Sequence, residues 1–178
     1  MNLFATSPSP AVSATHLCDI RLRKMILETA QLLCTELRRR GKDFVPYRST
    51  HPQHPVTLSL RHDPTLWWTL DYFEALHAEY RHRFNKNHKS YLDCILKIRY
   101  GMPPTVDYTI DPPRFHNSAR NLSRGCDYTH LPLHEAYRAY LAARWSCETP
   151  SWTNRTPPEF YRPPSPTAAP SLRRKFSA

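Results

Sequence analysis

Residues 17–41 restrict the fold more than any other stretch. At about 100° per residue, Leu22, Ile26, Ala30, Leu33 and Leu37 share one face of a helix, with Met25 and Leu32 at its border. Arg21, Lys24, Glu28, Gln31 and Thr35 share the opposite face, and Gly41 marks the end. A helix this long with so wide an apolar stripe must be covered by other elements. Only 3 glycines stand against 18 prolines, which excludes folds built on glycine loops, such as a P-loop or a Rossmann turn.

The covering elements are also helical. Ser9-Pro10 reads as an N-cap with proline at the first helical position, opening a short helix to His16. Residues 1–6 read as a short strand or an extended arm laid on the domain. Prolines at 46, 52 and 55 make residues 42–60 a rigid, extended connector. Asp63-Pro64 starts a second long helix, to about Asn85, apolar on nearly all sides at first and therefore central. Ser90 caps a third, over 91–100, closed by Gly101. Residues 102–131 form a long irregular loop with a short helix around FHNSARNLSR, and 133–147 form a fourth helix with Tyr137, Leu141 and Trp145 at helical spacing. The expectation is a compact all-α bundle of about four helices over residues 1–160, with a disordered, basic, proline-rich tail over 161–178.

A formal net charge of +10 favours a polyanionic partner, nucleic acid first among them. Five scattered cysteines without C-x-x-C spacing fit reduced thiols in a cytoplasmic protein. No apolar run has the length of a membrane span or the layout of a signal peptide, so no membrane association is expected. Nor is an obligate protein partner. Ten histidines raise the question of a metal, but none stands in an H-E-x-x-H or zinc-finger spacing, and no metal or other cofactor is expected.

The chemistry with the best local support is the charged stripe of the first long helix. Lys24 and Glu28 lie one turn apart with Arg21 beside them. An amine with a carboxylate is what imine chemistry at a sugar C1′ requires, the amine attacking as the base leaves and the carboxylate moving protons on the opened sugar. The amine must be neutral to attack, which burial or neighbouring cations such as Arg21 and Arg23 promote. The plainer alternative is a solvated face whose (i, i+4) pair contributes a few tenths of a kcal/mol.

Ser13-Ala14, Leu17, Asp19, Arg21-Leu22, Lys24 and Glu28 stand in the pattern S-A-x-x-L-x-D-x-R-L-x-K-x-x-x-E. His54-Pro55 before an aromatic helix, EYRHRF at 79–84 and FHNSARNLSR at 115–124 follow in order. Together these resemble the pyrimidine-dimer DNA glycosylase/AP lyase family of the endonuclease V type. The blocks at 24–35, 50–55 and 88–90 are closer still to uncharacterised phage and bacterial proteins that resemble that family. The likeness runs over residues 1–160 at scattered positions. It implies a compact all-α domain whose N-terminal segment reaches between the helices, with Glu28 in the place of the catalytic glutamate. Arg21 matches a DNA-contacting position. The family's nucleophile is the α-amino group exposed when the initiator methionine is removed. Here residue 2 is Asn, whose side chain is larger than methionine removal favours. Either Met1 keeps its own amine near the site, or Lys24 substitutes, or no imine chemistry occurs.

The expected set is Glu28 and Lys24 for catalysis. Arg21, His51, His54, Arg83, His88, Lys89, His116 and Arg120 are expected to contact nucleic acid. A base-excision enzyme acting on damaged or modified bases in DNA is the leading reading. A non-catalytic nucleic-acid-binding accessory protein and an enzyme acting on a free modified nucleotide are the alternatives.

Overall fold

In the computed structural model, which describes residues 2–163, Ser9 accepts a hydrogen bond from the Val12 N–H and Pro10 occupies the first turn of α1 (Pro10–His16). The arm before it is extended and buried from Leu3 to Ser7. It has no strand partner; the Ala5 and Thr6 N–H groups take Leu3 O and Phe4 O, and side chains of other elements take the later carbonyls. Trp68 Nε1 donates to Pro8 O at 2.6 Å, Arg138 Nε to Thr6 O at 2.8 Å, and His134 Nδ1 lies 2.8 Å from Ala5 O.

The helix with the long stripe is α2 (Asp19–Arg39), and Leu22, Ile26, Ala30, Leu33 and Leu37 are all buried in it. Residues 32–37 are buried on every side of it, Thr35 and Glu36 included. Thr35 receives the Thr50 N–H at 3.0 Å, which ties the connector to the helix. Glu36 is the common partner of Arg39 and Arg40, while Arg38 donates to Tyr47 O and Val45 O. Arg38 and Arg40, which also donates to Leu60 O, therefore brace the connector.

The connector holds a further helix, α3 (Pro55–Ser59), opened by His54, whose Nδ1 accepts the Val56 N–H at 3.2 Å. Sequence periodicity gives no sign of a helix this short. The central helix is α4 (Asp63–Phe84), packed against α1 and α2 with Trp68, Tyr72, Phe73 and Leu76 buried, and it ends on Asn85 in a left-handed conformation (φ 50°). Next, α5 (Lys89–Gly101) packs on α2 and takes its cap from His88, two positions before the expected Ser90. Residues 115–124 do not form the expected helix. They run extended into β1 (Arg120–Asn121) and a 3-10 turn, and Gly125 (φ 66°) turns the chain into antiparallel β2 (Cys126–Asp127). The last helix is α6 (Leu133–Trp145).

One apolar cluster joins the arm, α1, α2, α4, α5 and α6, so the described chain is all-α around a single core. Tyr161, assigned by composition to the tail, packs on Trp145 and Trp152 with ring centroids 5.9 and 4.9 Å apart. The remainder of the expected tail, from 164, lies outside the described residues. All five cysteines are free. Among the described residues, no helix is long and apolar enough to cross a membrane.

Candidate active site

A cavity of about 800 Å³ opens beside the first half of α2, inside the range of roughly 300–1,000 Å³ that small-molecule sites span. Five stretches wall it. The arm contributes Asn2 and Phe4, and α2 contributes Arg21, Lys24, Met25 and Glu28. His54 and Pro55 come from the start of α3, and His116, Ser118 and Arg120 from the extended run that replaces the expected helix. Tyr140, Arg144 and Glu148 close the far side from α6 and the segment after it.

Glu28 sits at the meeting point of arm and helix. Its Oε1 lies 3.2 Å from Lys24 Nζ, and its Oε2 lies 3.4 Å from the backbone nitrogen of Asn2. The Lys24 side chain is 69% exposed, whereas that of Glu28 is 17% exposed and Asn2 is partly buried. The carboxylate is thus held inside the wall, with one amine on the rim and one backbone nitrogen within.

Arg21 is bound to Glu148, which it meets at 2.8 Å, and Arg144 reaches the same carboxylate at 3.0 Å. Burial alone would push the Glu148 carboxyl up, but the two guanidiniums outweigh it and hold the group below its ordinary value. Two cations sharing one anion leave this end of the cavity positive. Cys18 also accepts from Arg21, at 3.3 Å. On the opposite wall, burial lowers the His54 pKa, reinforced by the nearby His51 and His116. His54 is therefore neutral at pH 7, in keeping with its Nδ1 accepting the α3 cap bond.

Of the residues singled out from the sequence, Glu28, Lys24, Arg21, His54, His116 and Arg120 line this one cavity. The other four lie elsewhere. His51, exposed and with φ 48°, precedes α3 without reaching the cavity wall. His88 caps α5 and meets Tyr80 edge-on at 5.2 Å. Lys89 points to solvent and pairs with Asp93 at 2.6 Å. Arg83 has no exposed side-chain surface, so it has no free face for nucleic acid. It donates to Asp19, Glu79 and the carbonyls of Thr15 and Leu17, joining the ends of three helices.

Sequence reasoning missed Ser118, Tyr140, Arg144 and Glu148, and considered Asn2 only for its bearing on methionine removal. Arg144 and Glu148 have (i, i+4) spacing, a signal that could have paired them. Nothing in the local sequence aims Asn2 or Ser118 at Glu28 or at α2. Among the described residues, no group of three or more His, Cys, Asp or Glu is arranged to hold a metal ion.

A family model described as pyrimidine dimer DNA glycosylase matches residues 1–92. The match takes in the arm, α1 to α4 and the first residues of α5, hence Glu28, Lys24, Arg21 and His54. The walls from 116 onward lie outside it. No curated protein and no solved structure matches the chain.

Proposed function

The chain belongs to the pyrimidine dimer DNA glycosylase family, and from that premise we propose that it excises a damaged or modified base from DNA, with Glu28 at the centre of the reaction. The observation that carries the reading is the placement of one half-buried carboxylate between two nitrogens, inside a cavity large enough for an extruded nucleotide. Arg21, Arg144 and Arg120 bring positive charge to the walls, where the phosphates flanking a flipped nucleotide need it. Nucleic acid is the partner, and the cytoplasm of a bacterial or phage-infected cell is the place of action.

In the lyase version, an amine adds to C1′ as the glycosidic bond breaks. The base leaves with the electron pair of that bond, one proton passes from the bound nitrogen to the ring oxygen by way of Glu28 as the sugar opens, and a protonated imine results. Lys24 is an amine whatever the start of the mature chain. The nitrogen of Asn2 is one only where Asn2 is the first residue. A protein retaining the preceding residue then releases base without this nitrogen, and Glu28 supports the developing positive charge on the sugar.

Borohydride reduction in the presence of abasic-site DNA, followed by peptide mapping, assigns the amine to residue 2 or to Lys24. Glu28→Gln is expected to slow base release by at least about 100-fold, the scale of one positioned acid–base group. Absence of any adduct, together with either no base release by the wild type or base release that Glu28→Gln leaves unchanged, would falsify the proposal. Salt-sensitive binding without turnover would then identify the alternative, a non-catalytic DNA-binding protein.

A further inference from the structure

The Asn2 side chain is held by two donors on one oxygen. Tyr137 Oη donates to Asn2 Oδ1 at 2.9 Å, and the Leu3 N–H donates to the same atom at 2.8 Å. A carbonyl oxygen accepts two such bonds, so its capacity is filled and the side chain has one orientation. The backbone nitrogen of the same residue is the one that faces Glu28 at 3.4 Å. Apart from Glu28, Tyr137 is the hydrogen-bond partner that reaches Asn2 from outside the arm among the described residues.

Tyr137 is itself fixed. It is 1% exposed, meets the Phe4 ring edge-on at 5.8 Å, and its oxygen accepts the Ser118 N–H at 3.4 Å. Burial pushes its pKa up, so the phenol stays protonated and remains a donor across the working pH range. It does not line the cavity.

We propose that Tyr137 is a positioning residue, which fixes residue 2 from behind so that its backbone nitrogen stays against Glu28. The phenol never touches DNA, and its effect on the chemical step is transmitted through Asn2. This rests on the glycosylase reading for its consequence, but the restraint on Asn2 is measurable without any substrate.

Tyr137→Phe keeps the ring packing and deletes the one hydroxyl. The single-turnover rate of base release is expected to fall about 10- to 100-fold, as slight misplacement of a reacting group does, with DNA affinity within twofold of wild type. In the free protein, ¹³Cα relaxation should show the order parameter of Asn2 falling from a rigid to a flexible value. Asn2→Ala removes the same bond from the other end and carries the test should Tyr137→Phe fold poorly. The double variant should be no slower than Asn2→Ala alone, because both changes delete one interaction. If wild type shows no base release yet Asn2 loosens in Tyr137→Phe, the positioning stands and the glycosylase reading fails. If wild type is active and Tyr137→Phe matches it, or if Asn2 stays rigid, the proposal is overturned.

Discussion

Arg83 is a cation that solvent never reaches. Its guanidinium spends its N–H groups on Asp19, Glu79 and two main-chain carbonyls, a set that a lysine cannot reproduce. Replacing it by Met leaves Asp19 and Glu79 buried without their shared partner, and removing one member of such a group costs about 3–5 kcal/mol. The two acids keep hydroxyl, amide and Arg155 donors, so Arg83→Met is expected near the lower figure. Calorimetry should then show a melting temperature lower by roughly 10 °C. Arg83 also shows where reading by residue fails. In EYRHRF it stands in a run of basic side chains at a helix end, which looks like a surface. Its burial follows from Asp19, 64 positions earlier, and no local pattern carries that contact. Lys24 and Glu28, by contrast, were legible together because one turn of helix suffices to pair them. His54 and His88 were visible as motif residues, but both spend Nδ1 on capping the helix that follows.

Among the elements, the segment that follows α6 depends most on charge. It has no helix of its own and is held by two acids of other elements. Asp19 accepts from Ser151 and Thr153, and Glu79 receives both nitrogens of a fork from Arg155. Burial alone would raise both carboxyls. Bonds from Thr153, Arg83 and Ser151 hold Asp19 below its ordinary value, and Arg155 with Arg83 does the same for Glu79. A carboxyl lowered by folding stabilises the fold at any pH above the ordinary carboxylate value of about 4, and that contribution is lost as pH falls through the lowered one. Thermal melts from pH 7 to pH 3 should therefore drop steeply below about pH 4, and Asp19→Asn should start lower and fall less. Helix positions were mostly readable, because α1 and α4 announce themselves by a proline in the first turn and α2 and α6 by 3.6-residue periodicity. The hairpin at 120–127 and the five-residue α3 were not, since elements this short have no period to show and take their shape from packing.

For the molecule as a whole, the net charge of +10 is the property most directly tied to DNA. Affinity for a short duplex should fall steeply with salt. Arg120→Ala, which removes an exposed cation at the cavity wall, should weaken binding and reduce the slope of log K against log salt by about 1. Fluorescence anisotropy between 50 and 200 mM salt measures both; an unchanged slope would place Arg120 off the DNA path. The all-α class and the half of the cavity on α2 could be inferred from sequence alone. On the other side, His116 and Arg120 were marked by the FHNSARNLSR block, whereas Tyr140, Arg144 and Glu148 reach the cavity only because the chain folds back, and nothing local names α2 as their destination.

The arm adds a consequence in time. Asn2 is 135 positions from Tyr137, Thr6 is 132 from Arg138, and Asp19 is 134 from Thr153. Each of these partners leaves the ribosome long after the arm does. Synthesis at about 5–20 residues per second puts some seconds between them, and contacts so distant in sequence form slowly in any case. A nascent chain displaying α2 and Glu28 therefore has an open groove and a loose arm. The cavity closes only with α6 and the segment behind it, so a truncated translation product is left without the walls from 116 onward.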